Sequence, residues 1–291
     1  MKTKAFLLSA LLLISMLAGC SKTENAQIAA TTLPVYQFTQ RLCEGTGITV
    51  TRLVTESVSC LHDYSLNVAQ VKAVEQAETV IISGAGLEEF MEDVLDDAKT
   101  VIDSSAGIEL LGCETEHDHN HDHHHHEQDA HIWLSPANAK MMASNICEGL
   151  VKQFPEHENT FKNNLFDLHR DLDTLLAYGQ EQLNSLSCRE LITFHDGFSY
   201  FADVFDLTIL EAIEEESGSE ASAQELIHLI GMVEEHDLPA VFTETNGSAS
   251  AADIISAETG AGLFALDMAM AGEDYFKAMY HNIDTIKEAL G

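Results

Sequence analysis

The chain has 291 residues, 48 acidic and 14 basic, for a formal net charge of −34 with histidine neutral. A field of that sign repels nucleic acid and anionic lipid and draws cations inward, so a nucleic-acid partner is excluded on electrostatic grounds. The length allows two lobes, each with a sizeable core.

The amino terminus carries Lys2 and Lys4, then the apolar run Ala5 to Leu17, then Leu17-Ala18-Gly19-Cys20. Residues 1–19 are expected to be a secretory signal, because the apolar run is shorter than the roughly 20 residues that span a bilayer. Leu-Ala-Gly-Cys resembles the bacterial lipobox, which implies cleavage before Cys20, a diacylated thiol and a short tether over residues 20–26. Loss of Lys2 and Lys4 leaves 12 basic residues against 48 acidic ones. No later stretch is apolar for long enough to cross a membrane, so the rest is expected to be soluble and held at the surface by lipid. Cys43, Cys60, Cys113, Cys147 and Cys188 show no CxxC or zinc-knuckle spacing, and their odd number leaves at least one thiol unpaired.

From Gln27 onward, short apolar runs alternate with amphipathic segments, the rhythm of a parallel sheet with helices. Strands are expected at Ile28–Leu33, Ile48–Val54, Thr79–Ser83 and Thr100–Ile102. Between them, Pro34 opens a helix to about Cys43, and Asn67 caps one whose Val68, Val71 and Val74 form an apolar face. Leu87–Ala98 reads as another helix. Ser135-Pro136 starts a helix to about Phe154. The longest helical pattern follows, His157 to about Leu186, with Phe161, Leu165, Leu168, Leu172, Leu175, Leu176 and Leu183 on one stripe. The alternation then resumes. Strands at Leu191–Phe194, Leu207–Ile213, Ala240–Thr243 and Leu263–Leu266 are separated by helices at Phe198–Phe205, Ser222–His236 and Ala249–Thr259, and Tyr275–Leu290 is the last helix.

One stretch stands apart, from Glu116 to Pro136. His117, His119, His121, His123, His124, His125 and His126 crowd into ten residues with Asp118 and Asp122, and His131 follows just before Ile132-Trp133-Leu134. Imidazole is the commonest metal-ligating side chain, so the tract reads as metal-binding. A run of this kind is too flexible for a selective site, which needs ligands held by packed elements. In open α/β sheets ligands bind beyond the carboxyl ends of strands. His195, Glu244 and Asp267 each stand immediately after an apolar strand, His62 lies in the loop Glu56–Asn67 after an earlier one, and His131 precedes a helix.

The lipobox, His62-Asp63-Tyr64, the acidic His tract, Asp129 to Pro136, Phe194 to Phe201, Phe242-Thr243-Glu244 and Ala265-Leu266-Asp267 together resemble the zinc/manganese solute-binding lipoproteins of ABC importers, the cluster A-I class. The resemblance runs in order along nearly the whole processed chain. It implies an α/β fold of two (β/α) lobes with parallel sheets, joined by one long rigid helix, with the metal between them. The lobes would be residues 27–156, with the His-rich loop at 114–130, and 188–291, linked by a helix over 157–187. The implied ligands are His62 and His131 from the first lobe and His195 and Asp267 from the second. Glu244 matches a nearby acid that supports the ligands or substitutes for one. Three imidazoles and one carboxylate suit Zn2+ better than the oxygen-preferring Mn2+. The tract would collect zinc near the mouth of the site.

The expected function is therefore a monomeric, extracytoplasmic zinc-binding protein, lipid-anchored through Cys20 to the outer face of the bacterial cell membrane, that delivers Zn2+ to an ABC permease and its ATPase. It would not be an enzyme. A zinc hydrolase is the alternative from another class, with Glu244 as base, but no HExxH helix or nucleophile elbow occurs. A manganese-type or adhesin member of the same fold is the other alternative.

Overall fold

Four short apolar runs of the first half line up as one parallel sheet: β1 (Ile28–Ala30), β2 (Val50–Arg52), β3 (Thr79–Ile82) and β4 (Val101–Asp103), in the order β2-β1-β3-β4. Ile28 stands opposite both Val50 and Thr79, which makes the fully buried β1 a central strand. The computed structural model describes residues 27–56, 61, 64–96, 98–112, 128–214, 221–270 and 272–291. The expected signal and tether with Cys20, the pair His62 and Asp63, Cys60, Cys113 and the tract His117 to His126 all lie outside the described residues.

Helices α1 (Leu33–Leu42) and α2 (Val68–Gln76) follow β1 and β2. Asn67 accepts from the backbone N–H groups of Ala69 and Gln70, while the Gln70 side chain accepts from Asn67 N, a reciprocal cap. Such a cap stabilises a helix by about 1 kcal/mol. Val68, expected on the apolar face, is instead exposed, because only Val74 of the three valines reaches the core from this short helix.

The segment Leu87–Ala98 departs further from expectation. It forms a 3-10 turn at Glu89–Met91 and a single helical turn, α3 (Glu92–Leu95), separated by Met91 at φ −130°. Tertiary pairing explains the break. Glu88 turns back to the ends of β1 and β3, where its carboxylate accepts from Thr31 Oγ1 (2.6 Å), Ser83 N (2.7 Å) and Gly84 N (3.0 Å). The sheet order reverses direction at these strands, so Glu88 fills the crevice where an open α/β sheet receives ligands. Burial there pushes its carboxyl up to about 7, against the opposing pull of those donors.

Helix α4 (Pro136–Gln153) starts with Ser135 capping Asn138 N, and α5 (Glu158–Leu183) runs 26 residues, about 39 Å at the usual rise. Its stripe Phe161, Leu168, Leu172, Leu175 and Leu183 is fully buried, each side chain contributing roughly 1.5–3 kcal/mol, while Leu165 and Leu176 are only partly covered. The helix packs on α1 and α4 from the first half and on α9 (Tyr275–Leu290) from the second.

Beyond it, β5 (Glu190–His195) pairs in parallel with β6 (Thr208–Glu214), and β7 (Ala240–Glu244) with β8 (Gly262–Leu266). β5 also packs beside β7. Helices α6 (Ser199–Val204), α7 (Ala223–Glu235) and α8 (Ser250–Thr259) connect them. Ser222 and Glu225 form the expected capping box, and Gly260 ends α8 at φ +80°.

One hydrophobic cluster runs from Ile28 to Leu290 through both halves, with Trp133 and Tyr275 its largest fully buried side chains. Hydrogen bonds cross between the halves as well. Arg52 donates to the carbonyls of Met270 (3.1 Å) and Gly272 (2.7 Å), Trp133 Nε1 to Met268 O (2.8 Å), and Tyr275 Oη to Trp133 O (2.7 Å). The segment following Asp267 is thus gripped by the first half of the chain. Among the described residues, Cys43, Cys147 and Cys188 are free thiols.

Candidate metal centre

His131 ends the irregular segment that enters the buried turn Ile132–Leu134, so the packing of Trp133 fixes the backbone beside it. Its ring is buried at 3% exposure, and Nδ1 lies 2.8 Å from Asp129 Oδ1. Asp129 Oδ1 also accepts from the backbone N–H of His131. Burial works to raise the Asp129 carboxyl, but the hydrogen bonds it accepts from the His131 ring and backbone N–H outweigh it and hold the group below its usual range. A carboxylate on Nδ1 assigns the proton to that nitrogen and leaves Nε2 as the lone-pair donor. Nε2 is buried and, among the described residues, has no hydrogen-bond partner, which is costly for a polar atom unless something binds it.

His195 is the last residue of β5 and is equally buried. Its imidazole meets that of His131 edge to face, with ring centroids 5.2 Å apart and planes at 86°. Two imidazoles from opposite halves of the chain therefore share one buried spot. Glu244 ends the neighbouring strand β7, and its carboxylate is buried. Asp267 follows β8 directly, half-buried, with Oδ1 accepting from Ala269 N at 2.8 Å.

Of the residues expected from sequence, the structure thus brings His131 and His195 into contact and sets Glu244 and Asp267 at the ends of the adjoining pair of strands. Among the described residues, no three of His, Cys, Asp and Glu are close enough together to hold an ion. His62 and the His tract lie outside the described residues, though the stem of the tract is closed by an antiparallel bridge between Gly112 and Gln128 and by Asp129 N donating to Leu111 O.

Three neighbours take roles that the sequence did not assign, although Gly197 and Tyr200 lie in the Phe194 to Phe201 stretch. Tyr200 Oη donates to Asp129 O and accepts from Leu111 N, tying α6 to both sides of that stem. Gly197 leaves room for the His131 ring: a Cβ there would lie 3.0 Å from Nδ1 and 2.6 Å from Met268 Cε. Asn282, wholly buried on α9, holds the backbone of Asp267 at both its N–H and its carbonyl. Each of these acts across more than a dozen residues of sequence, so local spacing does not identify its partner.

Nitrogen donors outnumber carboxylates at the contact itself, an arrangement that suits a borderline transition metal rather than Mg2+ or Ca2+. Comparison with known proteins points the same way. The family described as the periplasmic zinc-uptake complex component A matches residues 28–289. A putative metal-binding protein of Treponema pallidum is 25% identical over 92% of this chain and 88% of its own length. The high-affinity zinc uptake system protein ZnuA of Bacillus subtilis is 28% identical over 93% of this chain and 89% of its own. The chain spans only 60% of the zinc-binding lipoprotein AdcA of Streptococcus pneumoniae, at 27% identity. A crystal structure of ZnuA superimposes with a TM-score of 0.80 at 30% identity, covering 91% of this chain and 99% of that one.

Proposed function

Because the chain belongs to the family of periplasmic zinc-uptake components, we propose that it captures Zn2+ outside the cytoplasm and delivers it to an ABC permease and its ATPase. Zinc is the cargo, and no covalent bond is made or broken, so the protein acts as a binding component and not as an enzyme. The observation that carries this reading is the meeting of the His131 and His195 rings, with His131 Nε2 buried and without a hydrogen-bond partner among the described residues.

His62, His131, His195 and Asp267 are the proposed ligands, two from each half, and Glu244 stands beside them. In this structure His131, His195 and Asp267 are not yet close enough together to hold an ion, so capture draws Asp267 toward the two rings. Four protein ligands would then complete a tetrahedral shell with no open position for a zinc-bound water. Asp129 holds His131 in the tautomer that offers Nε2 to the ion and raises its basicity. Burial of both rings keeps water from competing. The ion binds only neutral imidazoles, so protons and zinc compete for the same lone pairs. The proposed division of the chain is a first lobe over 27–156, the helix over 157–187 and a second lobe over 188–291, with lipid on Cys20 keeping a monomeric protein at the membrane. Among the described residues no helix is long and apolar enough to cross a bilayer.

Metal analysis of protein lacking residues 117–126 tests the reading. One tightly held zinc per chain is expected after exhaustive dialysis, and protein that retains none would overturn it.

A further inference from the structure

Strand β8 ends at Leu266, whose carbonyl still accepts from Thr245 N of the loop after β7. One residue later the ladder is gone, and the backbone groups of Asp267 need other partners. Both come from one side chain. Asp267 N donates to Asn282 Oδ1 at 2.7 Å, and Asn282 Nδ2 donates to Asp267 O at 2.7 Å. Asn282 is 0% exposed and sits in the middle of α9, an element packed on the long helix α5 and on β8. A buried amide that devotes both its donor and its acceptor to one residue fixes that residue's φ and ψ from both sides.

The carboxylate is constrained too. Asp267 Oδ1 accepts from Ala269 N, and Ala269 has φ +53°, a left-handed conformation that a non-glycine residue keeps only when its surroundings impose it. The surroundings are the first-half bonds that grip Met268, Met270 and Gly272. With the backbone clamped and one oxygen engaged, the direction of the second oxygen follows.

We infer that Asn282 is a positioning residue for zinc capture: it aims the Asp267 carboxylate by clamping its backbone. The inference rests on the reading of Asp267 as a zinc ligand. Metal-bound carboxylates and imidazoles depend on such outer partners, and losing one typically costs about 10–100-fold in affinity.

The test uses the processed chain and four variants. Asn282→Leu keeps the side-chain size and removes both hydrogen bonds. Ile286→Ala, one turn further along α9 and fully buried, serves as a destabilised control. Asp267→Ala and the Asp267→Ala/Asn282→Leu double variant complete a cycle. Zinc affinity by chelator competition, urea stability without metal, and the visible spectrum of the Co2+ form are read for each. Asn282→Leu is expected to weaken zinc about tenfold or more and to shift the Co2+ bands, while Ile286→Ala loses stability but binds within about twofold of the parent. In the Asp267→Ala background, Asn282→Leu should have no further effect on affinity. Affinity of Asn282→Leu within twofold of the parent, or an undiminished loss in that background, would overturn the inference and leave Asp267 a ligand. Parent-like binding by Asp267→Ala would instead overturn the ligand reading itself. If the Leu variant does not fold, Asn282→Ala gives the same test, since it too removes both hydrogen bonds to Asp267.

Discussion

Replacing Glu88 with Gln removes the charge from a carboxyl that closes the crevice at the ends of β1 and β3. Burial lifts that carboxyl from 4.5 to about 7, so the native state holds its proton more tightly than the unfolded chain does. A raised folded value contributes stability that is fully present below pH 4.5 and is lost as pH rises through 7. The 2.5-unit gap between 4.5 and 7 corresponds to about 3 kcal/mol at most. Between pH 5 and pH 8.5 the change should be about 2–3 kcal/mol. In the Gln variant the amide oxygen still accepts from Thr31 and Ser83, but its NH2 group faces Gly84 N–H, at a cost of about 1–2 kcal/mol at every pH. The variant is therefore expected to be less stable than the parent at pH 5 and more stable at pH 8.5. Urea titrations with a chelator present, at pH 5, 7 and 8.5, measure the difference; histidines titrate alike in both proteins and cancel. A stability difference that stays constant across the three pH values would refute the reasoning.

Three further outcomes follow from the site. His195→Ala should weaken zinc binding far more than deletion of residues 117–126, and equal losses by calorimetry would erase the distinction between fixed site and collector. Zinc affinity should fall as pH drops from 7.5 to 5, because the ion needs unprotonated imidazoles, and equal affinities at the two pH values would contradict that. Gly197→Ala would set a methyl group 3.0 Å from His131 Nδ1, so zinc binding should weaken while the melting temperature stays close to the parent's; unchanged affinity would show that the ring can give way.

Much of the fold is readable along the chain because its signals are local. Asn67 and Ser222 accept from backbone N–H groups two or three residues on, Ser135-Pro136 opens α4, and Gly260 closes α8 with a positive φ. The stripe on α5 repeats at helical spacing, and strands of apolar, β-branched residues alternate with it. Local reasoning fails where a distant partner intervenes. Glu88 leaves the helical pattern of Leu87–Ala98 because Ser83 and Gly84 present two unpaired N–H groups to it. Val68 carries the right spacing, yet the core does not reach the first turn of α2.

The same division holds at the site. By itself the sequence determined which residues are chemically able to hold zinc and that His195, Glu244 and Asp267 stand at strand ends, since a strand's end and a side chain's chemistry are local properties. Only the tertiary structure decided that the His131 and His195 rings share one buried spot, that Asp129 takes Nδ1 and leaves Nε2, that Gly197 makes the space, and that Asn282 clamps Asp267. Those pairings form when separate elements collapse onto one core, and their energies come from burial and hydrogen bonds between residues that the chain itself keeps apart.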